Sequence, residues 1–480
     1  MNRRMVLKTL GLISLSLAAL LVLPLVVSFI YGEINVADAF LKTILISVAL
    51  GVVIIFLSRP DSHVIYAKES FVIVSLAWVV TSVLGALPFV FSGEIPNFID
   101  ALFETVSGFT TTGASIVADV EKMSHGILFW RSFTHWIGGM GVLVFIMAII
   151  PVSDRSIHLM RAEMPGPIVG KLVPKAKDTA KILYLMYIVL TVWQVIMLLF
   201  GGMSLFESVV HSFGTAGTGG FGIKLDSIGG YSPYIQWVIT IFMLLFGVNF
   251  NLYYLIILKK FKSAIKSTEL WFYFGVVGAS ILVITANIYP LLNNVSDALR
   301  HSAFQVSTII TTTGYATIDF NLWPDLSKAI LFILMFFGGC AGSTAGGFKI
   351  SRVVILGKMI RRELKHMLHP RSVNTINFEG KPLDNSTIKG VSSYFAIYVA
   401  LFAIIFLVLS IEPFGFETNF SATAACFNNV GPGFALVGPT GNYSFYSPIS
   451  KLVLSIAMLL GRLEIFPLVL AFSLSTWKKQ

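Results

Sequence analysis

The segment Phe109-Thr-Thr-Thr-Gly-Ala-Ser115 places three threonines directly before a glycine, after an apolar stretch too short to cross a membrane. Three later segments follow short apolar stretches in the same way. They read Thr215-Ala-Gly-Thr-Gly-Gly-Phe221, Thr311-Thr-Thr-Gly-Tyr-Ala316 and Asn428-Asn-Val-Gly-Pro-Gly-Phe434. With Gly113, Gly219, Gly314 and Gly431 taken as equivalent, the spacings are 106, 95 and 117 residues. This pattern predicts four repeats, each made of a membrane helix, a short re-entrant helix, a glycine loop and a second membrane helix.

The composition places these repeats in a membrane. Of the 480 residues, 56% are hydrophobic and only 12% are charged, whereas a typical soluble domain has about 25% charged residues. This composition argues strongly against a soluble enzyme and predicts an all-α polytopic membrane protein. Apolar windows predict ten spans, near residues 9–31, 39–57, 71–92, 126–150, 180–201, 232–258, 270–290, 326–349, 391–411 and 447–472.

Lys and Arg are distributed unevenly between the segments that join these spans. If the N-terminus is cytoplasmic, the inner segments hold 26 of them and the outer segments hold only Lys122, Lys224 and Arg300. This asymmetry predicts a multi-pass protein of the cytoplasmic (inner) membrane, in contact with membrane lipid and with both termini cytoplasmic. It also explains the formal net charge of +10, so nucleic acid is not expected as a partner.

The repeats define the expected organisation of the chain. They are predicted to be pseudo-symmetric around one central pore, with two extra membrane helices before them. The expected units are residues 1–70 (the N-terminal helix pair), 71–160 (repeat 1), 161–265 (repeat 2), 266–375 (repeat 3, with a Gly-rich gate loop at 338–347) and 376–480 (repeat 4).

Four glycine loops at membrane depth predict an ion filter. Non-helical backbone is tolerated there only where protein or water replaces its lost hydrogen bonds, and a ring of carbonyl oxygens can replace the hydration shell of a monovalent cation. The predicted potassium-binding filter residues are Thr111, Thr112, Gly113, Thr218, Gly219, Gly220, Thr312, Thr313, Gly314, Asn429, Val430 and Gly431.

The short helices before the loops are expected near residues 97–109, 204–215, 296–310 and 416–427, with their negative C-terminal ends aimed at the ion. Five acidic residues near their outer starts are expected either to cap these helices or to concentrate cations in the vestibule. They are Asp100, Glu104, Glu207, Asp297 and Glu417.

The four loops, the linker Ala162-Glu-Met-Pro-Gly-Pro167 and the stretch Gly338-Gly-Cys-Ala-Gly-Ser-Thr-Ala-Gly-Gly347 resemble the Trk/Ktr/HKT superfamily of potassium transporters, most closely its bacterial TrkH branch. The resemblance covers essentially the whole chain. It implies potassium uptake, a homodimer with one pore per subunit, and regulation by a cytosolic, nucleotide-binding TrkA-type ring. Potassium is then the substrate, and no cofactor is expected on this chain. Some relatives have Ser in place of Gly113 and pass sodium well, so Gly113 favours the potassium-selective type.

A gate is predicted just inside the filter, where glycines interrupt the span 326–349 and a straight helix would be costly. A flexible loop could block permeation there; the alternative is a passive kink for close helix packing. The predicted gate residues are Gly338, Gly339, Gly342, Ser343, Thr344, Gly346 and Gly347.

Two basic residues are candidates for a charge on the conduction path. Arg462 lies inside the last span, where it would repel cations; the alternative is an ion pair with a residue of another helix. Lys349 could act similarly, although an ordinary cytoplasmic anchor is the simpler interpretation. The stretch Arg361-Arg-Glu-Leu-Lys-His366 is a candidate docking surface for the cytosolic regulator, although positive-inside flanking also explains its charge.

Other functions have weaker support in the sequence. Gly217-x-Gly219-x-x-Gly222 matches a dinucleotide fingerprint by letter, but it follows a short helix rather than a strand. His135, His211 and His301 lack metal-ligand spacing and are expected to be packed or hydrogen-bonded. No catalytic constellation is evident, so an enzyme is not predicted. The remaining alternative to a potassium pore is an alternating-access symporter that couples potassium or another solute to protons or sodium.

Overall fold

The computed structural model describes residues 2–58, 66–141, 176–372, 374–473 and 477. In these residues the chain is almost entirely helical, which confirms the predicted all-α membrane fold. The helices are α1 (Arg3–Leu20), α2 (Val22–Ile30), α3 (Ile34–Leu57), α4 (Ala67–Ser92), α5 (Phe98–Phe109), α6 (His125–Gly139), α7 (Ala176–Phe200), α8 (Leu205–Gly217), α9 (Pro233–Phe246), α10 (Phe250–Ile257), α11 (Phe261–Ile265), α12 (Thr268–Leu292), α13 (Val295–Ile310), α14 (Asp325–Phe337), α15 (Ile350–Leu368), α16 (Asn385–Leu409), α17 (Phe416–Phe427), α18 (Pro448–Arg462) and α19 (Phe466–Phe472). Short 3-10 turns lie at Val120–Lys122, Phe320–Leu322 and Ala435–Val437, and strands β1 (Asn377–Phe378) and β2 (Lys381–Pro382) form an antiparallel hairpin.

Four repeats of three helices follow the N-terminal helices. Each contains a long helix, a short helix and a second helix, in the sets α4–α5–α6, α7–α8–α9, α12–α13–α14 and α16–α17–α18. The predicted four-repeat architecture is therefore confirmed. The expected boundary between residues 160 and 161 lies outside the described residues, as do the predicted linker at 162–167 and the end of the span 126–150.

In the described part of the chain, six helices are long and apolar enough to span a membrane. They are Arg3–Ile30, Ile34–Leu57, Lys68–Ser92, Asp178–Phe200, Thr268–Leu292 and Asn385–Leu409. The pair α9 and α10 adds a seventh if these helices, bent by 88°, are counted together. Ten spans, one of them interrupted, were expected from the sequence. The second helices of repeats 2, 3 and 4 are short or broken, and the end of the span 126–150 lies outside the described residues.

In repeats 2, 3 and 4 the second helix ends before the predicted span does. The break predicted inside 326–349 is confirmed, since α14 ends at Phe337. Continuous helices at 232–258 and 447–472 were wrong, because α9 ends at Phe246 and α18 at Arg462. A methyl group on Gly138 or Gly461 would collide with the backbone carbonyl of Phe109 or Phe427, respectively. The second helices of repeats 1 and 4 therefore pass directly against the C-terminal ends of their short helices.

The N-terminal helices pack as a hairpin against repeat 1. A Cβ on Gly11 would lie 2.9 Å from the Gly51 carbonyl oxygen, and the reverse distance is the same, so α1 and α3 approach closely. The Glu33 carboxylate after α2 accepts the backbone N–H groups of His125 and Gly126 at 2.7 and 2.9 Å. These contacts join the hairpin to the start of α6, where a negative charge suits the helix dipole.

Candidate functional site

The four short helices α5, α8, α13 and α17 position the predicted filter residues. Three of them begin with a side-chain cap: Asn97 accepts the N–H of Ile99 at 2.9 Å, Ser204 that of Glu207 at 3.2 Å, and Asn294 that of Ser296 at 2.9 Å. These caps satisfy backbone donors that the first helical turn leaves without partners. The capping residues therefore set the start of each of these helices and the direction in which it points.

The backbone then turns in the same way in all four repeats. The residue just after each helix, or one further on, is left-handed, with φ of 54° at Thr111, 56° at Thr218, 55° at Thr312 and 56° at Asn429. The glycine two positions later is also left-handed, with φ of 80° at Gly113, 75° at Gly220, 88° at Gly314 and 95° at Gly431. The equivalent glycine of repeat 2 is therefore Gly220. Aligning Gly219 was wrong by one residue, because α8 continues to Gly217 before the turn.

These glycines, called here the glycine ring (Gly113, Gly220, Gly314 and Gly431), connect the four loops in a closed circle. A Cβ on Gly113 would collide with the carbonyl oxygen of Gly219, and a Cβ on Gly220 with that of Thr313. A Cβ on Gly314 would collide with the carbonyl of Val430, and one on Gly431 would lie 2.5 Å from that of Thr112. Each loop thus packs its middle carbonyl into the space beside the glycine of the preceding loop. A cavity of about 130 Å³ borders all four ring glycines.

Side-chain hydrogen bonds fix the first, third and fourth loops. The hydroxyls of Thr110 and Thr112 are 2.7 Å apart, and those of Thr311 and Thr313 are 2.8 Å apart. The fourth loop lacks this hydroxyl pair. Instead, the Asn429 amide donates to the Thr112 hydroxyl and to the Met458 carbonyl, both at 2.9 Å. The departure of repeat 4 from the threonine pattern therefore ties the last loop to the first.

His135 supports the second loop from behind. Its Nε2 accepts the Phe221 N–H at 3.2 Å, so its Nδ1 carries the proton that is donated to the Gly108 carbonyl at 2.7 Å. The ring also fills the space where a Cβ on Gly219 would lie. The expectation of a packed, hydrogen-bonded histidine is confirmed.

The acidic residues expected at the helix starts have different environments. Asp100, Glu207, Asp297 and Glu417 lie in first turns, and Asp100 pairs with Lys451 at 2.6 Å. For Glu104 the expectation was wrong: it is 1% exposed in the middle of α5 and pairs with Arg131 at 2.5 Å.

The Glu104–Arg131 pair is a support that sequence reasoning missed. Arg131 also donates to the Gly222 carbonyl at 3.0 Å and to the Ser115 hydroxyl at 2.9 Å, and Glu104 accepts the Ile116 N–H at 2.9 Å. The pair therefore holds the chain just after the first and second glycine loops. A buried ion pair is favourable only when such additional hydrogen bonds complete it.

The predicted gate residues lie between α14 and α15 and pack against the loops of repeats 3 and 4. The Gly346 N–H donates to the Thr312 hydroxyl at 2.7 Å, and a Cβ on Gly346 would lie 2.9 Å from the Asn428 carbonyl oxygen. Thr344 donates through its hydroxyl to the Phe246 carbonyl at 3.2 Å. The segment therefore closes over the third and fourth loops on the side where α9 ends.

The rest of this segment makes its turns at left-handed glycines. Gly338, Gly342 and Gly347 have φ of 69°, 73° and 77°. Gly339 accepts the N–H of Ile350 at 3.1 Å, and Ser343 donates to the carbonyl of Cys340 at 2.7 Å. The predicted gate residues thus form one compact loop with its two ends side by side.

Arg462 joins this loop to repeat 1. Its guanidinium donates to the carbonyls of Thr344 at 2.8 Å, Gly138 at 2.6 Å and Gly139 at 2.7 Å. Nearby Glu464 pairs with Arg352 of α15, whose guanidinium stacks over Tyr394 at 4.0 Å. The Arg462 side chain thus connects the end of α18 with the gate loop and with the end of α6.

Lys349 is buried within the same region. It is 8% exposed, and its ammonium donates to the Ala345 carbonyl inside the gate loop. The interpretation of Lys349 as an ordinary cytoplasmic anchor was wrong, because the loop folds back over its side chain.

Comparisons with known proteins place this arrangement in context. A family model described as "TrkH: Cation transport protein" matches residues 36–286 and 279–479. The chain is 34% identical over 489 residues to "Trk system potassium uptake protein TrkH" of Salmonella typhimurium and 35% identical over 488 residues to the protein of that name from Escherichia coli (strain K12), with all of each chain covered. The crystal structure of the potassium transporter TrkH from Vibrio parahaemolyticus matches with a TM-score of 0.88 and 31% identity over the full length of both chains.

Proposed function

The chain belongs to the TrkH family of cation transport proteins, and from this premise we propose that it takes up potassium through the glycine ring, with the loop 338–347 as its gate. It is a membrane transporter of the Trk potassium uptake type rather than an enzyme. Potassium is the transported ion.

The closed ring of four loops is the observation that carries this proposal. The middle carbonyl of each loop lies beside the ring glycine of a neighbouring loop, and the glycines leave no side chain between them. The ends of the four short helices that precede the loops add negative potential there. Such an arrangement can replace water around a dehydrated monovalent cation. A membrane potential supplies about 2.3 kcal/mol per charge and per 100 mV, so entry needs no ATP.

The gate proposal depends on the position of the loop 338–347. The loop packs against the third and fourth filter loops and is bound by Arg462, so an ion leaving the ring meets it. Glycines with positive φ let it take other conformations at low cost. Displacement of the loop would open the path.

The remaining assignments follow from charge and family. The excess of Lys and Arg in the predicted inner segments supports a cytoplasmic position for them and for both termini, with the protein in the inner membrane. We propose a homodimer and a cytosolic, nucleotide-binding TrkA-type ring as partners. The exposed end of α15, which carries Arg361 and Lys365, is the proposed docking surface for that ring.

Tracer flux into proteoliposomes tests the proposed function. Rubidium and sodium uptake are compared under an imposed potential, and then with proton or sodium gradients instead. Potential-driven rubidium uptake in excess of sodium uptake is expected. Rubidium movement only in the presence of a proton or sodium gradient would favour the symporter instead.

A pair of glycine variants tests the ring itself. Gly113 and Gly93 have nearly the same φ, 80° and 79°, but a Cβ on Gly93 has nothing within 4 Å, whereas a Cβ on Gly113 collides with the Gly219 carbonyl. Gly113→Ser should lower the rubidium-to-sodium ratio, because the carbonyl has to move. Gly93→Ser has similar backbone strain and should leave the ratio unchanged. Equal ratios in the two variants would contradict the ring as the selective site.

A further inference from the structure

One carboxylate oxygen holds both ends of the gate loop. Glu269 lies in the first turn of α12 and is 4% exposed. Its Oε1 accepts the N–H of Ala341 at 2.7 Å and the N–H of Ser351 at 3.1 Å. These residues lie on the two sides of the loop tip, so Glu269 closes the stem of the loop. A buried carboxylate is retained at this position because it satisfies two buried amide donors.

A second carboxylate, that of Glu379, binds the backbone of Glu269. Glu379 lies in the turn of the β1–β2 hairpin, with φ of 50°. Its Oε1 accepts the Ser267 hydroxyl and the Glu269 N–H, both at 3.0 Å. It therefore caps the start of α12, where the orphan amides of a helix favour an anion. Both acidic residues lie close together although like charges repel.

The hairpin is also fixed to the helix on the other side of the loop. Lys358 of α15 donates to the Asn377 carbonyl at 2.8 Å, and the Phe378 side chain is 3% exposed. Gly380 and Lys381 of the turn are exposed. The hairpin thus contacts α12 and α15, the two helices that hold the loop stem, and presents its tip to solvent.

We propose that Glu379 and Glu269 form a two-carboxylate link through which the hairpin 377–382 controls the seating of the gate loop. The proposal rests on the proposed function, since it assigns regulation to that gate. A movement of the hairpin withdraws Glu379 from the start of α12, shifts Glu269 and releases both ends of the loop stem. Glu269 and Glu379 are positioning residues and do not touch the ion.

Cys340 provides a built-in reporter of this release. It precedes Ala341 in the loop and is 0% exposed, so a thiol reagent reaches it only when the stem opens. The other cysteine of the chain is Cys426, so Cys426→Ala leaves Cys340 as the single thiol. The experiment measures the rate of Cys340 modification by a small methanethiosulfonate and, in parallel, potential-driven rubidium flux of the full chain in proteoliposomes.

Each single variant, Glu269→Ala and Glu379→Ala, should raise the modification rate at least about tenfold. Each loses two charge-assisted hydrogen bonds, and the loss of one such bond already corresponds to about tenfold. Rubidium flux should rise with it. The double variant should modify no faster than the faster single variant, because two residues in one link are not additive. Asp38→Ala is the matched control, since Asp38 is an exposed carboxylate of α3 that pairs with Lys42 at 2.6 Å; it should match the parent.

Unchanged modification rates in both single variants would overturn the proposal, and so would multiplied effects in the double variant. Glu379→Gln keeps the size of the side chain and serves if the alanine variants fail to fold; it should also raise the rate. A parent protein that transports no rubidium would contradict the proposed function instead. The modification rates separate these two failures, because they report loop release without requiring transport.

Discussion

Replacement of Arg462 tests how the end of α18 restrains the gate loop. Arg462→Ala removes the bond of 2.8 Å to Thr344 and the bonds of 2.6 and 2.7 Å to Gly138 and Gly139. A hydrogen bond from a charged group contributes about 1.5–3 kcal/mol. If the Thr344 bond exists only while the loop is seated, its loss shifts the equilibrium towards the open loop by about 10- to 150-fold.

Potential-driven rubidium flux into proteoliposomes measures this shift. Flux should rise in Arg462→Ala by up to that factor, limited by the fraction of protein already open. Arg371→Ala removes an exposed guanidinium that lies after the end of α15 and should leave flux unchanged. Parent-like flux in Arg462→Ala would refute the restraint.

Arg462→Lys separates bridging from charge repulsion. Lysine retains the positive charge, but its single ammonium cannot span three carbonyls as the planar guanidinium does. If the bridge restrains the loop, the lysine variant should approach the flux of the alanine variant. Low, parent-like flux in Arg462→Lys together with high flux in Arg462→Ala would instead assign the barrier to the charge alone.

Two further predictions concern the contacts around the ring. Thr312→Val removes the acceptor of the Gly346 N–H and should raise flux several-fold. Thr308→Val, at the end of the preceding helix α13, should not, because the Thr308 hydroxyl has no partner among the described residues. Equal flux in the two variants would contradict this. Glu104→Gln leaves Arg131 buried without its counter-charge and should destabilise the protein by about 3–5 kcal/mol. The melting temperature should therefore fall, whereas Glu121→Gln at the surface should leave it unchanged. Equal melting temperatures in the two variants would contradict this.

Much of the fold follows from local chemistry in the sequence. The start of α5 was predicted within one residue, and the structure shows Asn97 capping it. The range of α17 matches the predicted 416–427, with Gly415 before the helix and Asn428 after it. The breaks after α9 and α18 were missed because the apolar windows 232–258 and 447–472 extend through them despite Asn249 and Arg462. In the break after α18, Glu464 and Ile465 have positive φ although neither is glycine. Their residue types therefore give no indication of this conformation.

The side chains that support the glycine ring were harder to predict from the sequence than the ring itself. The repeated glycines are visible in the chain, but Asp100 and Lys451 meet across 351 residues. Arg131 and Lys451 did carry a signal, since both are charges inside predicted apolar spans, and such residues require a partner. The criterion that identified Arg462 therefore applied to them as well. Only the identity of the residues that pair with Arg131 and Lys451 required the structure.

The supports also divide the four loops into two pairs. The first and second loops are followed by residues bound to Arg131, and the second is backed by His135, so static side chains hold them. The third loop offers the Thr312 hydroxyl to Gly346 of the gate loop, and the fourth lies against the same glycine. A movement of the gate loop therefore removes a contact from one half of the ring only. Asn429 of the fourth loop also donates to Thr112 of the first. If the loop 338–347 gates the pore as proposed, its movement would therefore reach the first loop through that amide.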